Sequence, residues 1–93
     1  MYDVLFTDTA KKRLAKLEKP VQARIVATIE RARVRPERFA KSVVGSPYYK
    51  LRAGDYRVII DIVKDKLLVM VITVGHRRNV YSDLKRVDNP VHR

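Results

Sequence analysis

The sequence predicts an α+β fold in which an N-terminal strand and a helical hairpin pack on one face of a small antiparallel sheet. The predicted order is β-α-α-β-β-β with a short C-terminal helix. Three observations indicate this fold. Apolar residues recur every three or four positions between residues 10 and 32, as in amphipathic helices. After Pro47 the apolar period falls to about two, as in strands. Two short turns separate the later strands, so antiparallel neighbours are expected.

The first third of the chain is predicted to supply one strand and two helices. Residues 2–6 (YDVLF) alternate enough in polarity to form a short strand, and residues 7–9 (TDT) offer side-chain oxygens for a helix N-cap. From there Ala10, Leu14 and Leu17 fall at helical spacing and predict the first helix. Pro20 ends this helix and suits the first turn of the second one, which closes at Pro36.

The remainder of the chain is predicted to supply the rest of the sheet. Residues 37–47 are interpreted as a connecting loop. Three strands are expected over residues 48–53, 56–63 and 67–74. The last of them, LLVMVITV, is apolar almost throughout, so we expect a central strand with both faces covered. A polar tail begins at Ser82, and its first residues favour a short helix.

Length and charge restrict the class of protein. The chain has 93 residues, which indicates one domain over residues 1–93, and no cysteine, which excludes disulfides and thiolate metal sites. No apolar run is long enough to span a membrane, and the N-terminus does not resemble a secretory signal, so we expect a cytoplasmic protein without a membrane partner. The net charge of +11 predicts a polyanionic partner, either nucleic acid or an acidic protein. The alternative is a basic domain whose charge only keeps it dispersed.

Strand alternation predicts a cluster of cations on the sheet face away from the helices. Leu51 is expected to face the helices, which sends Lys50 and Arg52 to the opposite, uncovered face. On the next strand the same parity sends Arg57 and Ile59 to that face. Because like charges held this close are destabilising, the cluster points to an anionic ligand. The alternative is a solvated face on which cations carry no function.

The segment VGHRRNVY, residues 74–81, follows the most apolar stretch of the chain. Gly75 lets the backbone turn, so the cations after it are expected at the end of the last strand, close to Arg57. A phosphate-sized pocket is predicted with walls formed by Lys50, Arg52, Arg57 and Arg77, and with Tyr81 closing one side. Arginine suits this place because its planar guanidinium holds two phosphate oxygens. Tyr81 could instead pack the terminal segment on the sheet.

From YYKLRAGDYRV to VGHRRNVY, the sequence resembles the RelE/ParE superfamily of toxin–antitoxin toxins, and it is most similar to the RelE branch. The resemblance implies that residues 1–93 form a single RelE-like toxin domain of a type II toxin–antitoxin system. It implies an endoribonuclease that cuts mRNA in the ribosomal A site by attack of a ribose 2′-OH on the adjacent phosphate. The expected partners are the ribosome, mRNA and an acidic cognate antitoxin. No metal and no cofactor are expected.

The resemblance also implies which residues act. The catalytic positions carried over from the family's motifs are Lys50, Arg57, Arg77 and Tyr81. The residues expected to bind RNA beside them are Arg52, His76, Arg78 and Lys85.

The roles of these residues are hypotheses. Arg57 and Arg77 would hold the phosphate, Lys50 would accept a proton or supply charge, and Tyr81 would stack on a base or relay a proton. His76 is either a competing general acid or only a surface histidine. Only three glutamates occur, so a mechanism with paired carboxylates has no obvious members. Ordinary lysine and tyrosine are weak bases at neutral pH, so cleavage is expected to be slow without the ribosome.

Two positions depart from the RelE pattern. Tyr48 stands where some RelE-like toxins have a second lysine, and His76 follows Gly75 where a lysine can occur. The loop before Tyr81 is also short. A non-catalytic alternative therefore stays open, namely a basic nucleic-acid-binding module or a ParE-like gyrase poison.

Overall fold

A computed structural model describes residues 1–82 and residue 84 of the chain. In chain order, the elements are β1 (Asp3–Phe6), α1 (Asp8–Ala15), α2 (Lys19–Ala32), α3 (Pro36–Phe39), β2 (Lys41–Ser42), β3 (Tyr49–Ala53), β4 (Tyr56–Val63), a 3₁₀ turn (Lys64–Lys66) and β5 (Leu68–His76). Residues 80–82 and 84 are helical as well. Within the described part of the chain, no helix is long and apolar enough to cross a membrane.

The five strands form one sheet in the order β1-β5-β4-β3-β2. The predicted α+β fold is confirmed, and β5 has a neighbour on each side as its apolar sequence predicted. The sheet is not antiparallel throughout, because β1 pairs with β5 in parallel. A tight turn forces antiparallel pairing only between strands that follow one another directly, and β1 is separated from β5 by the rest of the fold.

The prediction of a connecting loop over residues 37–47 is wrong in part. Pro36 does not only end the preceding helix, since it begins the one-turn helix α3, where its fixed φ is favourable. The short strand β2 follows and adds an edge to the sheet, with Lys41 and Lys50 as Cα partners. Both elements are too short to produce a periodic signal in the sequence.

The start of α1 is fixed by the side chain of Thr7. Its Oγ1 accepts a hydrogen bond from the Ala10 backbone N–H at 3.0 Å, as the predicted N-cap requires. The same hydroxyl donates to the Ile72 carbonyl at 2.7 Å. Thr7 therefore ties the helix to the central part of the sheet. The helix ends at Ala15, so Pro20 does not end it as predicted; Pro20 lies in the first turn of α2, as was also predicted.

The sheet carries an apolar cluster on each face. On the helix side, fully buried residues of α2 and of the sheet pack together, including Ile25, Leu51, Val58 and Ile60. The opposite face, called the outer face below, was predicted to be uncovered, and this is wrong for part of it. A second cluster lies there and consists of Val43, Ile59, Ile72, Val80 and Leu84. Ile59 does point outward as predicted, but it is fully buried under this second cluster. Apolar side chains on two neighbouring strands require such a cover.

A β-bulge interrupts the pairing of β4 with β5. Ile59 is the Cα partner of Thr73 and Ile60 is the partner of Val71, so Ile72 is an extra residue on β5. One extra residue inverts the alternation of side chains beyond it. As a result, Val74 packs in the helix-side cluster, and His76 is the Cα partner of Tyr56.

Candidate functional site

Four basic side chains lie together on the outer face. Arg52 and Arg57 are Cα partners across β3 and β4, and Lys41 and Lys50 are partners across β2 and β3. With Phe39 they line a cavity of about 240 Å³, called the cationic pocket below. None of the described residues that line it is acidic. A cavity of this volume with basic side chains in its walls suits a phosphate or another small anion.

The β3–β4 turn holds the side chain of Arg57. Its Nη1 donates to the carbonyl of Gly54 at 2.9 Å and to that of Tyr56 at 3.0 Å. The turn requires a positive φ of 64° at Gly54, a conformation that glycine adopts at no steric cost. Guanidinium carries five N–H donors, and these two bonds engage only one of its nitrogens. Arg57 is thereby oriented while donors remain for a ligand.

Lys50 connects the cationic pocket to a second cavity. Its Nζ lies 5.8 Å from the centre of the Tyr81 ring, within the range of a cation–π contact. The second cavity, called the apolar pocket below, has a volume of about 340 Å³, and it is lined by Val43, Val44, Gly45, Ser46, Lys50, Tyr81 and Leu84. Tyr81 also packs against the second cluster. Tyr81 therefore has both predicted features: it packs on the sheet, and it lies beside Lys50.

Arg77 lies at the edge of this site. Gly75, two residues before it, is the Cα partner of Arg57, and the Arg77 backbone N–H donates to the Asp55 carbonyl at 2.8 Å. The backbone of Arg77 is thus fixed next to the turn that holds Arg57. Its side chain is exposed and does not line the cationic pocket. Arg78 is exposed as well. Lys85 lies outside the described residues.

His76 is separated from the other predicted site residues. Its ring meets the ring of Tyr56 edge to face, with centroids 5.4 Å apart, and it opens toward α1 and not toward the outer face. The bulge at Ile72 is the physical reason, since it moves His76 to the helix side of β5.

Sequence reasoning missed two parts of the site. Lys41 and the residues from Val43 to Ser46 belong to the segment interpreted as a loop, yet they form a wall of the cationic pocket and of the apolar pocket. Only strand β2, two residues long, brings them there. No pattern of that length would have indicated it. Among residues 1–82 and 84, no three histidine, aspartate or glutamate side chains group as metal ligands.

The chain is similar to toxins of type II toxin–antitoxin systems. The sequence model of the family described as the ParE toxin of the type II toxin–antitoxin system, parDE, matches residues 4–81. No curated protein matches the chain significantly in sequence.

Solved structures of RelE toxins are similar to the chain. The toxin–antitoxin complex RelBE2 from Mycobacterium tuberculosis matches with a TM-score of 0.76 and 29% identity, over 82% of this chain and 91% of that one. The free Escherichia coli toxin RelE, in a mutant with two arginines replaced by alanine, matches with a TM-score of 0.72 and 30% identity, over 91% of this chain and 96% of that one. The intact E. coli RelBE complex matches with a TM-score of 0.71 and 28% identity, over 82% and 96%.

Proposed function

The chain belongs to the ParE toxin family of type II toxin–antitoxin systems and is RelE-like in structure, and from this premise we propose that it is a ribosome-dependent mRNA endonuclease that inhibits translation. The observation that carries the proposal is the grouping of Lys50, Arg52 and Arg57 around the cationic pocket, with Tyr81 beside Lys50. A scaffold alone is compatible with several activities, so the argument rests on these side chains.

The proposed reaction is a transesterification within the RNA chain. The ribose 2′ oxygen attacks the adjacent phosphorus, the bond from phosphorus to the 5′ oxygen breaks, and a 2′,3′-cyclic phosphate remains. A proton leaves the 2′-OH and another reaches the departing 5′ oxygen. Negative charge grows on the phosphate oxygens, and nearby cations stabilise it.

Each site residue has a proposed role in this reaction. Arg57, oriented by the turn carbonyls, holds the phosphate, and Arg77, whose backbone is fixed beside the same turn, contacts it from the edge of the cationic pocket. Lys50 accepts the proton or adds positive charge. Tyr81 stacks on a base or relays a proton, and the apolar pocket beside it is large enough for a nucleobase. Arg52 and Arg78 contact neighbouring phosphates. The positive charge of these side chains takes the place of a metal ion.

The ribosome is proposed to supply the positioning that this site lacks. Lysine and tyrosine are weak bases near neutral pH, so the message must be held with its 2′-OH in line for attack. Positioning of this kind lowers the activation free energy by several kcal/mol in well-oriented reactions. We therefore expect fast cleavage on programmed ribosomes in the cytoplasm and slow cleavage of free RNA.

An acidic cognate antitoxin is the proposed regulator. Similar solved structures include toxin–antitoxin complexes from M. tuberculosis and E. coli. With a net charge of +11, the chain attracts an acidic partner, and a segment laid over the cationic pocket would cover Lys50 and Arg57.

A second candidate function is favoured by the family match itself. The matching model is that of ParE toxins, and the resemblance to this superfamily implies that ParE-like members act as gyrase poisons without cleaving RNA. In this case the basic outer face would bind without catalysis. The retained Lys50, Arg57 and Tyr81 favour the nuclease.

The test uses purified ribosomes programmed with a defined message and primer extension to detect cuts. We expect cuts at A-site codons with the wild-type protein. Arg57→Ala and Arg77→Ala should each lower the cleavage rate by about two to three orders of magnitude, as loss of a charge-stabilising donor does in other enzymes. Arg31→Ala is the matched control, because Arg31 is an exposed arginine on α2 outside the site.

Two results would count against the proposal. An intact message together with DNA cleavage in a gyrase assay would support the second candidate. If the message is cut but Lys50→Ala and Tyr81→Phe both cut at the wild-type rate, the activity would stand and the assigned roles would be wrong.

A further inference from the structure

A second basic cavity lies on the opposite side of the sheet from the cationic pocket. It opens between α1 and the end of β5, has a volume of about 550 Å³ and is called the α1 cleft below. Its lining includes Lys12, Arg13, Lys16, Tyr56, His76 and Asn79. None of the described residues that line it is acidic. The α1 cleft therefore attracts anions independently of the outer face.

The register of β4 with β5 separates the two basic sites. Gly75 is paired with Arg57, whose side chain is on the outer face, and the next residue, His76, is paired with Tyr56 on the helix side. The sites are thus back to back across one strand. The exposed Arg77 and Arg78 follow directly and carry positive charge around the end of the sheet.

His76 is held so that it presents a donor to the α1 cleft. Its Nδ1 accepts a hydrogen bond from the Arg78 backbone N–H at 3.2 Å. In the neutral ring an accepting Nδ1 places the proton on Nε2, which is then a donor. The edge-to-face contact with Tyr56 fixes the plane of the imidazole. A fixed N–H donor among lysines is suited to a phosphate oxygen.

The two lysines of the cleft are arranged for a chain of phosphates and not for one isolated anion. Lys12 lies in the last turn of α1 and Lys16, four residues later, is the C-cap residue with helical backbone angles; both are exposed. Side chains at this spacing share a helix face with Cβ atoms about 6 Å apart, and like charges there destabilise the helix. Two neighbouring phosphates of one strand would offset this repulsion.

We propose that the α1 cleft binds the sugar–phosphate backbone of an RNA segment other than the one that enters the cationic pocket. Lys12 and Lys16 contact phosphates, the His76 Nε2 donates to a phosphate oxygen, and Asn79 supplies further hydrogen bonding. The pair of lysines four residues apart favours an RNA backbone over an acidic peptide, although Leu17 and Val74 also line the cleft, and the test below distinguishes the two occupants. The proposal concerns binding and does not depend on whether the protein cleaves RNA.

The test measures binding of a fluorescent single-stranded 2′-O-methyl RNA by anisotropy, with the full chain and at several salt concentrations. This probe has no 2′-OH and cannot be cut by the proposed reaction. The variant is Lys12→Ala/Lys16→Ala. The control is Lys64→Ala/Lys66→Ala, which removes the same charge at the opposite end of β5. Circular dichroism confirms that each variant is folded.

We expect the cleft variant to bind about five to ten times more weakly than wild type at moderate salt, from the loss of two phosphate contacts. Its slope of log affinity against log salt should fall by about 1.4, which is 0.7 for each of two single-strand phosphates. The control should bind within about twofold of wild type, since charges that far from the ligand are screened.

A matched pair of variants tests His76 separately. The side-chain amide of His76→Gln can replace the Nε2–H donor, so binding should stay close to wild type, whereas His76→Leu should bind about threefold more weakly.

Three results would overturn the proposal. The first is an equal loss of affinity in the cleft variant and in the control, which would show a general charge effect. The second is a cleft variant that binds RNA normally but loses binding to poly-glutamate, which would make the cleft a site for acidic peptides. The third concerns the quadruple variant that combines Lys12→Ala/Lys16→Ala with Arg52→Ala/Arg57→Ala. If this variant binds RNA no more weakly than either double variant, the two sites bind one shared RNA segment.

Discussion

Arg52→Gln is expected to make the free protein more stable while it weakens RNA binding. Arg52 and Arg57 are direct Cα partners across an antiparallel pair, and Arg57 is tied to the adjacent turn by its Nη1. Two unit charges about 7 Å apart repel by about 0.6 kcal/mol at the dielectric constant of water. This agrees with the cost of like charges at directly opposite strand positions. Removing one charge should therefore raise the free energy of unfolding by about 0.6 kcal/mol at low salt.

Thermal unfolding at low and at high salt tests this prediction. At low salt the melting temperature should rise by about 2 to 5 °C for a domain of this size, and in 1 M salt the gain should largely vanish because the charges are screened. The same variant should bind RNA more weakly than the Arg31→Gln control. A lower melting temperature, or a gain that is equal at both salt concentrations, would refute the idea that Arg52 and Arg57 repel each other in the free protein and that an anionic ligand relieves this repulsion.

Four further variants test the scaffold by thermal or denaturant unfolding. Gly54→Ala and Gly45→Ala should each cost about 1 to 2 kcal/mol, because both glycines have positive φ. A Cβ at Gly54 would meet the end of the exposed, flexible Arg24 side chain, which can move aside, so the two costs should be similar; a much larger cost for Gly54→Ala would contradict this. Thr73→Val should raise stability by about 1 kcal/mol, because the buried Thr73 Oγ1 has no partner among the described residues; a loss of stability would contradict this. Thr7→Ala should cost about 2 kcal/mol, as it removes both the helix cap and a bond to β5, and a cost below about 0.5 kcal/mol would contradict the double role.

The cationic pocket could be predicted from sequence because strand alternation is a strict rule. Leu51 is buried, so its neighbours Lys50 and Arg52 had to point the other way, and a two-residue turn fixed Arg57 opposite Arg52. These inferences need only the period of a strand and the length of a turn. Both are local properties that can be recognised directly in the sequence.

The position of His76 could not be predicted, because it depends on one unpaired residue. Without the bulge at Ile72, regular alternation from Val71 would have sent His76 to the outer face with Arg57. The sequence gives no sign of the bulge, since LLVMVITV is apolar on both faces and either parity buries it equally well. In the structure the extra residue, Ile72, is buried in the second cluster, a tertiary contact that the local sequence does not reveal.

The second cluster explains why a tyrosine follows the basic segment so closely. Ile59 and Ile72 leave an apolar area on the outer face, and Val80 and Leu84 cover it. A helical turn that buries Val80 must carry the next residue, Tyr81, along the border of this area, and the border is where Lys50 lies. Burial of Val80 and Leu84 therefore divides the outer face into two parts. The apolar part holds the Tyr81 ring, and the cationic part is left open for an anion. ParE and RelE relatives share the scaffold, so the two proposed functions are to be distinguished by variants in this divided outer face and not by the fold.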